Sequence, residues 1–264
     1  MDAREQLRRY LEQRRESGEQ ELLLDQLTVD DVLRIVGVRA TSAAGTDWRE
    51  VLRNAAATGI STGGQQIPSS TLGLKLETLG AVATAVASCT RCPLYATATN
   101  PVPGEGNPNA SLVIVGEAPG ATEDEQGRPF VGAAGQLLTK ILAAVDLRRE
   151  DVFICNVLKH RPPGNRNPLP DEVTACSPYL VRQIELIRPK AILALGTFAA
   201  QTLLQTKLAI GKLRSQVHRY YGVPLIVTYH PAALLRNPSW KRPTWEDVQL
   251  VRRILDSPSS VTQP

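Results

Sequence analysis

Four short apolar runs, at residues 111–115, 152–158, 191–195 and 225–228, constrain the fold of this chain more than any other feature. Each is four to seven residues long and rich in Leu or β-branched residues. They show no polar alternation, so each must be covered on both faces, as strands of a parallel sheet are. Between them, residues 133–145, 171–187, 197–204 and 244–255 repeat their apolar positions at helical spacing. Pro170-Asp171-Glu172 supplies a helix start, and Pro189 follows a helix expected to end near Ile187. Strand–helix alternation predicts an α/β fold: a three-layer α/β/α sandwich around a central, mostly parallel four-stranded sheet. Ligands in such folds bind beyond the carboxyl ends of the strands, which is where chemistry is to be sought.

The chain divides into three parts. Leu7, Tyr10 and Leu11 give residues 1–36 a helical face, and residues 37–75 are Gly-, Ser- and Thr-rich; together, 1–75 reads as a helical extension and flexible linker. Leu76, Leu79, Val82, Ala83 and Val86 open a new helical period, and the main domain is expected over 76–256, with a tail at 257–264. No run approaches ~18 apolar residues, so no membrane span is expected; the charged start MDAREQLRRYLEQ argues against a secretory leader. Four cysteines in 264 residues are too few for a disulfide scaffold, which suits a reduced cytoplasm. Residues 1–36 carry nine acidic and six basic side chains, leaving 24 basic against 17 acidic in the remainder. A basic body makes a polyanion a plausible partner, although charge alone is a weak signal.

The strand ends carry the notable residues. The first run empties into Gly116-Glu117-Ala118-Pro119-Gly120, an ordinary tight turn or a carboxylate brought to a ligand. The second contains Asn156, whose amide needs partners inside a buried strand; either local backbone satisfies it or it reads a planar ring. The basic, proline-stiffened stretch after it, with Arg161, Asn165 and Arg166, is a solvated loop or a phosphate track. The fourth run ends at His230-Pro231, a geometry restricted by Pro at a first helical position. His218 lacks such company and reads as structural. Cys89 and Cys92 form a C-x-x-C with no strand before it, favouring a metal over a redox pair. Cys176 and either His160 or Cys155 would complete four ligands, for which zinc and an iron–sulfur cluster both fit.

GEAPGATEDEQGRPFVGAAGQLL, CNVLKHRPPGNRNPLPDE and HPAALLRNP, downstream of CTRCPLY, closely resemble family 4 of the uracil-DNA glycosylases, the iron–sulfur-containing bacterial and archaeal type. The resemblance spans about residues 76–255. It implies a monofunctional enzyme that flips deoxyuridine out of single- or double-stranded DNA and hydrolyses its glycosidic bond, initiating base excision repair. Gly116, Glu117 and Ala118 would lie against the flipped uracil, with Glu117 positioning the attacking water. Phe130 would stack on the base, Asn156 bond its polar edge, and His230 stabilise the leaving uracil. Leu234, Leu235 and Arg236 would supply the duplex wedge and phosphate contacts.

One [4Fe-4S] cluster, structural in role, is also implied, with no nucleotide cofactor. The family's third cluster cysteine falls where this chain has His160, so His160 is favoured over Cys155 beside Cys89, Cys92 and Cys176. Arg161–Asn167 lacks the basic insert and reactive His of the relatives that crosslink to uracil, and Glu117 argues against family 5. A non-catalytic iron–sulfur nucleic-acid-binding module on the same fold, and a zinc-stabilised α/β protein, are the rival readings. The protein is expected to be a monomer; residues 1–75 could dock a repair or replication protein or shield the basic face, and the sequence leaves both open.

Overall fold

The computed structural model describes residues 76–257; the extension and linker expected over 1–75, and residues 258–264 of the expected tail, lie outside them. The chain forms a six-stranded sheet: β1 (Glu105–Gly106), β2 (Leu112–Gly116), β3 (Phe153–Asn156), β4 (Ala191–Leu195), β5 (Val217–Tyr220) and β6 (Val223–Thr228). Spatial order is β1-β3-β2-β4-β6-β5. The central four strands are mutually parallel and are the four apolar runs. Two antiparallel edge strands extend the expected four-stranded sheet. Their sequences hide them, since β1 is two residues long and Val-His-Arg-Tyr of β5 carries no buried residue.

Helices cover both faces: α1 (Leu79–Ala87), α2 (Ala121–Gln126), α3 (Ala133–Ala143), α4 (Pro170–Ile187), α5 (Gly196–Leu204), α6 (Ile210–Leu213), α7 (Pro231–Arg236) and α8 (Lys241–Asp256). Side chains alternate along the strands. Val113, Val115, Ile192, Ala194, Leu225 and Val227 point to one layer, with Leu180 and Ile184 of α4 and Ala199 and Leu203 of α5. Leu112, Ile114, Leu193, Leu195 and Ile226 point to the other, with Leu138 and Leu142 of α3 and Val248 and Val251 of α8. This is the three-layer α/β/α sandwich. Thr78 caps α1, its Oγ1 accepting from Ala81 N–H at 3.1 Å. No helix among the described residues is long and apolar enough to cross a membrane.

Candidate functional site

In-register pairing of the parallel strands brings their carboxyl ends to one edge, with Gly116 opposite Asn156 and Leu195 opposite Thr228. A cleft of about 430 Å³ opens there, lined by Glu117, Ala118, Phe130, Asn156 and His230, with Asn165, Arg166 and Arg236 at its walls. These residues are spread over 120 positions of sequence yet meet because they lie at the strand ends or in the segments that follow them.

Asn156 is 1% exposed, and its Oδ1 is a buried polar atom without a hydrogen-bond partner. A buried carbonyl left unpaired costs ~1–3 kcal/mol, so the site holds an acceptor ready for a donor from a ligand. Gly116 leaves room for it: a β-carbon there would overlap Asn156 Oδ1 and lie 2.6 Å from Phe130 Cζ. Phe130 is 6% exposed, and its ring centroid is 5.5 Å from that of His230, tilted by 33°. The aromatic ring and the amide thus form the floor and the back of a slot shaped for a flat molecule.

His230 caps α7, its Nδ1 accepting from Ala232 N–H at 3.2 Å. That bond leaves the proton on Nε2. Surrounding protein lowers the His230 pKa to about 4, with Arg236 adding to the effect and Glu123 opposing it. Near neutral pH His230 is therefore an uncharged donor. Gly196, at φ 89°, lets the β4–α5 turn pass close by; a β-carbon there would lie 3.0 Å from His230 Cβ. Beneath the end of β6, Thr228 Oγ1 donates to buried Asp247 at 2.7 Å and Arg214 Nε donates to the same carboxylate at 2.6 Å. The Tyr229 ring stacks on Trp240, at 4.5 Å and 15°, fixing both ends of the loop that begins at His230.

Burial raises the Glu117 pKa, with no cation offsetting it. Its backbone is anchored by Leu158 N–H, which donates to Glu117 O at 3.0 Å. Glu123, first of three successive acids after the Gly116–Gly120 turn, also lines the cleft. Its Oε1 accepts from Val131 and Gly132 N–H, both at 2.9 Å. The available signal was Pro-Gly-Ala-Thr-Glu, a helix start with an acid at its third position.

The expected DNA contacts divide. Arg236 and Leu235 are exposed, Leu235 at 50%. Leu234, expected beside Leu235 at the duplex, is fully buried, because the short helix turns position 234 inward. Arg166 is already paired, Nη1 donating to Glu172 Oε2 at 2.9 Å. Arg161 Nε donates to Asn165 Oδ1 at 2.7 Å, tying together the loop that flanks the cleft. His218 Nε2 lies 2.7 Å from Leu213 O, a structural bond away from the cleft.

A second centre lies where the chain before β1 meets α4. The thiols of Cys92 and Cys176 are within hydrogen-bonding reach, and Cys89 is close enough to raise both their pKa values, though burial is the larger cause. Burial pushes Cys176 up to about 11, with Lys159 N–H donating to its sulfur in opposition. His160, next in the chain, is 5% exposed, and the charge nearest in effect is Asp124. Cys155 is fully buried in β3. Among the described residues no three His, Cys, Asp or Glu side chains are closed around a single ion.

A family model for the uracil DNA glycosylase superfamily matches residues 103–249. The type-4 uracil-DNA glycosylase of Archaeoglobus fulgidus is 50% identical over 171 residues, 62% of this chain and 86% of that one. That of Pyrobaculum aerophilum is 48% identical over 173 residues, covering 62% and 88%. That of Thermotoga maritima is 45% identical over 183 residues, covering 68% and 95%. A cleft at the strand ends with an unpaired amide, inside a matched region that holds every one of its lining residues, leads to one conclusion: this chain belongs to the uracil-DNA glycosylase superfamily, among its type-4 members.

Proposed function

We propose that the protein is a monofunctional uracil-DNA glycosylase, with the unpartnered Asn156 Oδ1 as the atom that reads the base. Unstacking a nucleotide costs a few kcal/mol, and Phe130 replaces the lost stacking on one face. Asn156 meets the polar edge of uracil with an acceptor and a donor; the reversed edge of cytosine would leave both groups buried and unpaired.

As the glycosidic bond breaks, its electron pair leaves with uracil N1 and the sugar becomes cationic. His230 Nε2–H donates to the uracil oxygen on which negative charge gathers, and being neutral it does so without adding a cation beside the sugar. Ionised Glu117 steadies the sugar and orients the water that adds to C1′; the surplus proton passes to the released base. The expected contacts from Arg161, Asn165, Arg166, Leu235 and Arg236 would follow the DNA backbone and fill the vacated stack.

The donor set at the second centre fits a metal–thiolate group: the buried thiols of Cys92 and Cys176 lie within reach of each other with half-buried Cys89 nearby, and a cation would displace the protons that burial makes Cys92 and Cys176 keep. Cys89, Cys92, Cys176 and His160 would hold a [4Fe-4S] cluster, with Cys155 the alternative to His160. The cluster would crosslink the segment before β1 to α4 and to the end of β3. Residues 1–75 would be an appendage to a catalytic domain at 76–256.

The test is alkaline cleavage of a labelled oligonucleotide bearing one deoxyuridine, with Asn156→Ala run in parallel to exclude a contaminating glycosylase. Cleavage by the wild type, much weaker in the variant, is expected. Absence of cleavage by iron-loaded protein would leave a non-catalytic binding module on this fold.

A further inference from the structure

Phe130 holds a backbone conformation unfavourable for a residue with a β-carbon, at φ 51°. Such a conformation persists only where surrounding structure over-determines it. The peptide amides that follow it are held by Glu123, but the carbonyls need their own partner. Arg149 supplies it from a 3₁₀ turn at Arg149–Asp151, on the far side of α3 in sequence. Its Nη1 donates to Phe130 O at 2.9 Å, and its Nη2 donates to Pro129 O.

The guanidinium is itself held in place. Arg149 Nη2 donates to Glu105 Oε1 at 2.8 Å, and Arg128 Nε donates to Glu105 Oε2 at 2.7 Å. Glu105 lies in β1, the two-residue edge strand, so this strand anchors the clamp. Arg149 is mostly covered, its side chain 20% exposed, and lines no part of the cleft. Its planar fork is what allows two adjacent carbonyls and one carboxylate to be bridged by a single side chain.

We propose that Arg149 is a positioning residue that locks the Pro129–Phe130 turn and so fixes the plane of the Phe130 ring against the base. This rests on the reading of Phe130 as the stacking floor. Arg149 touches no reacting atom and acts through Phe130 alone, with Glu105 as its anchor.

The chain has three phenylalanines, at 130, 153 and 198, so incorporation of fluorophenylalanine gives three fluorine resonances that NMR can separate. Phe130→Leu assigns the signal of interest. In Arg149→Met, and in Arg149→Lys, which keeps charge without the fork, the Phe130 resonance should shift and broaden while those of Phe153 and Phe198 stay put and report an intact fold. Single-turnover excision should fall tenfold or more in Arg149→Met. In a Phe130→Ala background, the same substitution should change the rate less than twofold.

An unmoved Phe130 resonance, or an equal loss of rate in both backgrounds, would overturn the proposal. A wild type that does not excise uracil would overturn the glycosylase reading instead, and the fluorine spectra would still decide whether Arg149 positions the ring.

Discussion

Gly116 and Asn156 pair across β2 and β3 so closely that a β-carbon at 116 would overlap Asn156 Oδ1. The Phe130 ring closes the third side, 2.6 Å from that same β-carbon position. Glycine is required here by space, because its φ is not in the left-handed region. Gly116→Ala should therefore displace the base-reading amide. Overpacking of this kind costs ~1–3 kcal/mol, yet excision should fall on the order of 100-fold, the scale of losing one preorganised donor. Single-turnover rates and thermal melts on the same preparation separate the two effects.

The pH dependence follows from two shifts in opposite directions. Glu117 is raised above its ordinary 4.5 by burial, while His230 is lowered to about 4. The proposed mechanism needs Glu117 ionised and His230 neutral. As pH falls, Glu117 takes up its proton first, so the acid limb of the rate profile should have its midpoint above 4.5 and should vanish in Glu117→Gln.

Stability should carry the signature of His230. Its unfolded pKa is 6.5 and its folded pKa about 4, so between these values the unfolded chain binds a proton that the native protein does not. Stability is full above 6.5 and is lost as pH falls through that window. The fall in Tm of the wild type across it should be steeper than that of His230→Gln; parallel curves would contradict the assignment.

Leu234 and Leu235 are adjacent but should respond in opposite ways. Leu234→Ala removes a fully buried side chain and should cost ~2–5 kcal/mol, seen in urea unfolding. Leu235→Ala should leave stability within ~0.5 kcal/mol while lowering excision from duplex more than from single-stranded DNA, since only the duplex needs a wedge.

Iron content tests the second centre independently of catalysis. Cys92→Ala and Cys176→Ala should yield protein that has lost iron and brown colour. His160→Ala should do the same and Cys155→Ser should not; the reverse pattern would move the fourth ligand to Cys155 in β3.

The central sheet was readable because a strand buried on both faces has no choice of composition. All four runs became the four parallel strands, and Glu117, Asn156 and His230 followed from their ends. Residues whose importance depends on partners far along the chain left no such trace. Glu123 looks like one acid among three in Glu123-Asp124-Glu125; its place at a helix start is a weak signal, and its bonds to Val131 and Gly132 are what set it in the cleft wall. Arg149 reads as a loop arginine beside Arg148, yet Arg148 pairs at the surface with Asp151 while Arg149 turns inward to Phe130.

The sequence by itself determined the four central strands, most of the long helices and which residues stand at the strand ends, because periodic burial and chain direction are local properties. The tertiary structure decided the two antiparallel edge strands, the inward turn of Leu234, the convergence of Cys89 and Cys92 with Cys176, and the clamp on Phe130. Apart from the β5–β6 hairpin, each of these is a contact between segments distant in the chain, and its physical basis is the space and the polar groups that packing leaves between them.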